Sequence, residues 1–113
     1  MRIIHEWFSK DDYRQKIVQR AYEVWWMDLV LLIECEDWNW NPFAVWDNWK
    51  AHWLCQMNTN YHKIPQEYYE DWGFQVEYCK DKLRWWTKFY WPNRIIKWMK
   101  CSEFVLDRFT FIE

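Results

Sequence analysis

The residues best arranged for chemistry are carboxylates that close an apolar run. Glu34, Glu36 and Asp37 follow Leu29 to Ile33, and the chain then enters a polar loop through Asn41-Pro42. A carboxyl held partly out of water keeps its proton near neutral pH and can protonate a departing oxygen, so this stretch has the makings of a general acid. Periodicity leaves the choice of acid open. Leu29, Leu32, Ile33 and Glu36 share one helical stripe, while Met27, Val30, Leu31 and Glu34 share another. Asp37 and Asp47 are the nearby carboxylates that could supply a second group. Asp37 adjoins Glu36 on the helix and is expected to face away, and Asp47 sits in a turn with its own local role.

The elements that must position these groups read as a mainly α fold. Asp11 or Asp12 can cap a first amphipathic helix, along which Tyr13, Ile17, Val18, Ala21 and Val24 recur at helical spacing before Trp25-Trp26 stops it. A second helix, Met27 to about Asp37, is apolar on most of its circumference and is therefore expected to be central and buried. Residues 38–53 contain Pro42 and lack a helical pattern, which predicts an irregular or β-like region. Glu67 to Asp71 fits a short helical turn ended by Gly73, and Phe74 to Trp85 fits a third helix with Lys80, Asp81, Lys82 and Arg84 on its wet face. Ile95, Ile96 and Met99 suggest a further turn, and Phe104, Val105, Phe109 and Phe111 are expected to pack a last element.

Residues 29–58 resemble the catalytic core of the lysozyme-like lytic transglycosylases, which cleave peptidoglycan. The family pattern is an apolar helix ending in E-S, then W-N-P-x-A, then G-x-x-x-G-L-x-Q. The chain has Glu36-Asp37, Trp40-Asn41-Pro42-Phe43-Ala44, and Trp49 to Gln56 ending in Leu54-Cys55-Gln56. It departs by Asp37 for Ser, by one extra residue before Trp40, and by Trp for both glycines of the last motif. The resemblance implies one lysozyme-like domain over 1–113, with Glu36 as acid and then base. The substrate's own 6-hydroxyl would attack, without cofactor or metal, leaving a 1,6-anhydro end on the glycan strand. Gln56 and Asn58 would hydrogen-bond sugar N-acetyl and hydroxyl groups through their amides. Tyr90, in a turn similar to one that carries a cleft tyrosine, and Tyr78 would contact substrate. Hydrolytic lysozyme and a non-catalytic peptidoglycan-binding wall protein are the alternative outcomes of the same resemblance. A lone His62 beside Lys63 is read as a loop residue.

Thirteen Trp stand against one Gly, where average usage of about 7% would give about eight Gly. Several Trp occupy glycine-like places: Trp46-Asp47-Asn48-Trp49 would be an ordinary turn as G-D-N-G, and Trp91-Pro92-Asn93 as G-P-N. Trp25-Trp26 would release one helix into the next as a Gly pair. The pattern suggests a reading frame that uses UGA for glycine, translated with UGA as Trp. It would convert Trp25, Trp26, Trp46, Trp49, Trp53, Trp86 and Trp91 and keep Trp40, Trp72 and Trp85. A Trp-rich chain without function is the competing explanation, and UGG codons would identify it.

A net charge of −2 gives no electrostatic case for nucleic acid. The longest apolar run is short of the roughly 20 residues that cross a bilayer. MRIIHEWFSKDD has no signal-peptide core, so a wall enzyme, expected here to work as a monomer in the periplasm, outside the cell or on a virion, would arrive by another route. Cys35, Cys55, Cys79 and Cys101 form no C-x-x-C pair and are read as isolated half-buried thiols, with disulfides in any of three pairings as the alternative.

Overall fold

Asp12 starts the first helix: its carboxylate accepts the N–H of Arg14 at 2.9 Å, filling one of the orphan donors of a helix start. The computed structural model describes residues 1–37, 39–43, 45, 46, 51, 52, 54, 55, 57, 58, 63–89 and 92–113. Of residues 45, 46, 51, 52, 58, 83–89 and 92–98 it describes the backbone only.

Helix α1 spans Tyr13–Glu36, 24 residues, which as a straight rod would be about 36 Å long. It is not straight. Arg14 Nη1 donates to the carbonyl of Asn39 at 3.4 Å, and His5 meets both Gln15 and Glu34. Both contacts require the two halves of α1 to lie side by side. The reversal is at Trp25 (φ −154°, ψ 43°) and Trp26 (φ 50°, ψ −151°), the place where periodicity predicted a break. Trp26 adopts a combination that is almost confined to glycine, and its side chain is 67% exposed.

The two halves bury Ile17, Val18 and Ala21 against Leu29, Val30, Leu32 and Ile33. The second half is buried on most faces, as its all-round apolar pattern requires. Helices α2 (Gln66–Glu70), α3 (Trp72–Phe89) and α4 (Pro92–Val105) follow, and α1 packs against α3 and α4. Gly73 does not end α2. It lies in the first turn of α3, where the Asp71 side chain accepts its N–H at 2.8 Å and caps that helix. Helix α3 also runs past Trp85 to Phe89, and α4 opens on Pro92, whose missing N–H costs nothing in a first turn.

Strand β1 (Arg2–His5) pairs antiparallel with β5 (Phe109–Ile112), in the register Ile3↔Phe111 and His5↔Phe109. A small antiparallel sheet has the order β2 (Val45–Trp46), β3 (Ala51–His52), β4 (Met57–Asn58); its first two strands lie in the predicted irregular stretch and β4 lies beyond it. The expectation that Phe104 and Phe111 pack the core is not met: Phe104 is 83% exposed and Phe111 43%. Residues adjacent on a helix diverge by about 100°, so Phe104 turns outward because Val105 turns in. No helix among the described residues is long and apolar enough to cross a membrane.

The cysteines are not isolated thiols. Cys35 is bonded to Cys101 and Cys55 to Cys79, with Cα separations of 6.0 and 5.7 Å. The fold brings together residues 66 and 24 positions apart, a proximity that spacing along the chain could not reveal.

Candidate active site at the end of the buried helix

Three carboxylates end α1, and the fold gives them three environments. Glu34 is fully buried and surrounded by donors. Arg108 Nη1 approaches Oε1 at 2.8 Å, His5 Nε2 lies 3.1 Å from both oxygens, and Trp40 Nε1 donates to Oε2. The N–H of Trp7 donates to His5 Nδ1 at 3.1 Å, so the ring proton belongs on Nε2, facing the carboxylate. Strand β1 supplies His5, the turn before β5 supplies Arg108 and the loop after α1 supplies Trp40; the His5 ring stacks on Phe8 at 4.2 Å, and the Arg108 guanidinium lies 4.3 Å from the centre of the Trp7 ring. Glu34 is committed to holding both chain ends against α1.

Glu36 closes α1 and is half-buried. The next residue, Asp37, expected on the helix, does not continue it. Its backbone turns to φ −140°, ψ 83°, its N–H still donates to Ile33, and its side chain folds inward to 3% exposure. The N–H groups of Asn39 and Asn41 donate to its carboxyl, and Oδ2 has no hydrogen-bond partner among the described residues. Burial pushes the Asp37 carboxyl up to about 7. The negative Glu34 adds to the rise, and the two N–H donors offset part of it.

The loop after Asp37 is held from the opposite side by α3. Gln75, 1% exposed, donates from Nε2 to the Pro42 carbonyl at 3.0 Å and accepts the N–H of Leu54 at 3.4 Å. One amide thus joins the W-N-P stretch to the L-x-Q stretch. Below it, the N–H of Cys55 reaches the hydroxyl of buried Tyr68 at 3.5 Å, and the Cys55–Cys79 bond anchors the same segment to α3. Cys35, next to Glu36, is tied to α4 through Cys101. Asn39 and Asn41 also line an open groove of about 620 Å³ with Asp11, Asp12, Tyr13 and Arg14.

Among the residues expected to bind substrate, Gln56 and Tyr90 lie outside the described residues, and Asn58 lies on β4, paired with Ala51. Tyr78 is half-buried beside Tyr68, their ring centres 5.4 Å apart, and against Phe74; its hydroxyl pKa is raised by burial and by Tyr69. His5, Arg108, Gln15 and Gln75 were not foreseen. Nothing in local spacing marks them, although Gln75 has a chemical signal in being an amide on the apolar side of an amphipathic helix. Compared with family models, curated proteins and solved structures, the chain matches none.

Proposed function

We propose that the protein is a lysozyme-like lytic transglycosylase acting on the β-1,4 bond between MurNAc and GlcNAc in peptidoglycan. The observation that carries this reading is the junction at the end of α1. A buried helix ends on half-buried Glu36 and passes through Trp40-Asn41-Pro42 into a small antiparallel sheet, and Gln75 binds this stretch to Leu54. Glu34 is fully buried and bonded to Arg108, His5 and Trp40, and the carboxyl we assign to the substrate is Glu36, at the helix end beside Trp40-Asn41-Pro42.

In the proposed reaction Glu36 gives its proton to the glycosidic oxygen as the C1–O bond breaks. The resulting carboxylate takes the proton of the sugar's 6-hydroxyl, whose oxygen bonds to C1 and closes the 1,6-anhydro ring. Glu36 is thereby reprotonated, and no water is consumed. Gln56, Asn58, Tyr90 and Tyr78 are proposed to hold the strand. The two disulfides fit an oxidising setting such as the wall. The Trp-for-Gly reading finds support at Trp26, whose backbone has a glycine-like conformation.

The test is Glu36→Gln on purified peptidoglycan sacculi. Clearing should be lost with the circular dichroism spectrum unchanged, and wild-type products should carry no added water. Products that have gained water would move the protein to hydrolytic lysozyme. Equal clearing by Glu36→Gln would end the enzymatic assignment of this residue, and binding without clearing by either form would point to a non-catalytic wall protein.

A further inference from the structure

Asp37 is the one buried polar side chain whose bonding is incomplete among the described residues. It adjoins the proposed acid in sequence, and its carboxyl receives the backbone N–H groups of Asn39 and Asn41, which flank Trp40. Its Oδ2 is buried and has no donor among the described residues. The titratable groups facing it are Glu34 from α1 and Tyr68 from α2, and no cation among the described residues is paired with it. It also sits at a helix C-terminus, where the backbone dipoles disfavour negative charge. Two N–H donors are enough to orient a carboxyl. Without a third donor or a cation, they leave an ionised carboxylate badly solvated.

We propose that Asp37 is a positioning residue for Glu36: as a neutral acid it clamps residues 39–41 to the end of α1, and its ionisation releases that clamp. The inference rests on Glu36 being the acid, but the clamp can be measured without substrate. The carbonyl oxygen of Asn can accept the same two N–H groups and cannot ionise, whereas Ala accepts neither. A structural role alone would make Asp37→Asn and Asp37 indistinguishable in their pH dependence; a proton-held clamp separates them.

Amide hydrogen exchange at Asn39 and Asn41, corrected for base catalysis, reads the clamp in the full chain. In the wild type the protection of both amides should fall about tenfold between pH 6 and pH 8, as expected for one group titrating near 7. Asp37→Asn should keep protection level across that range, and Asp37→Ala should lose it at every pH. With sacculi as the probe, the ratio of wall-clearing rates at pH 6 and pH 8 should be smaller in Asp37→Asn than in the wild type, because one of the ionisations on the alkaline side is removed. Parallel pH dependence of wild type and Asp37→Asn in exchange would overturn the clamp. Absence of clearing in the wild type, with the exchange behaviour as expected, would instead overturn the functional reading and leave the clamp standing.

Discussion

Glu34 and Asp37 are three residues apart at one helix end, both are buried, and their surroundings are opposite. Glu34 meets a guanidinium, an imidazole N–H and an indole N–H; Asp37 meets two backbone N–H groups and has an oxygen without a donor among the described residues. The first is surrounded by side-chain donors, and burial favours a proton on the second. The difference comes from direction rather than depth. Glu34 faces β1 and the turn before β5, which bring His5 and Arg108, and takes the Trp40 indole from the loop, while Asp37 receives from that loop the main-chain N–H groups of Asn39 and Asn41.

The largest expected effect comes from breaking the donor-rich side. Glu34→Ala removes the ion-pair partner of Arg108, whose side chain is 27% exposed, and leaves the buried His5 and Trp40 ring donors without their acceptor. Loss of one partner from a buried pair costs on the order of 3–5 kcal/mol, a large share of the roughly 5–15 kcal/mol that stabilises a domain. Chemical denaturation should show it as a collapse of the transition midpoint. A Glu34→Ala variant of near wild-type stability would mean that the node holds nothing together, and the contrast with Asp37 would lose its meaning.

The Cys35–Cys101 bond lies between the two carboxyls and spans 66 positions. A closed loop of that length stabilises by roughly 4 kcal/mol in the chain-entropy account. The double Cys→Ser variant should lose that much, and a smaller loss would indicate that Glu34 alone secures the helix end.

Asp37 sharpens the comparison through pH. Its carboxyl is raised from 3.8 to about 7 in the folded chain, so the folded state holds the proton that the unfolded state releases. Stability from this group is complete below about pH 4 and declines as pH rises to about 7, with a limit of about 4 kcal/mol. Asp37→Asn should equal the wild type in acid and exceed it progressively through that window, as read by urea midpoints taken pH by pH. A constant offset would mean that Asp37 is ionised throughout.

Much of this was legible in local pattern, and the rest was not, for identifiable reasons. The break at Trp25-Trp26, the buried second half of α1 and the start at Asp12 are decided within a few residues of chain, where periodicity and capping act. The β1–β5 pairing, both disulfides and the partners of Glu34 join positions far apart, and nothing local selects them. Asp37 was misread because it was treated as one more helical residue. Its inward turn follows from leaving the helix, which frees the carboxyl to accept N–H groups from the loop ahead.

A second pair of residues tests the Trp-for-Gly reading with the smallest expected effect. Trp26 and Trp40 are the two non-glycine residues with positive φ among the described residues, at 50° and 53°. The indole of Trp40 is buried and donates to Glu34, so its strain is offset by packing and a hydrogen bond. Trp26 is 67% exposed and has no such compensation. Strain in such a conformation is worth about 1–3 kcal/mol, from which the entropy of a more flexible glycine subtracts about 0.5–1 kcal/mol. Trp26→Gly should therefore stabilise the chain by roughly 1 kcal/mol and raise the melting temperature by a few degrees. Trp40→Gly should destabilise it by several kcal/mol through the cavity it leaves and the donor Glu34 loses. If both glycine variants lower the melting temperature, positive φ at position 26 does not mark a displaced glycine. If only Trp26→Gly raises it, a UGA codon at position 26 is the expected finding in the coding DNA, with UGG at position 40.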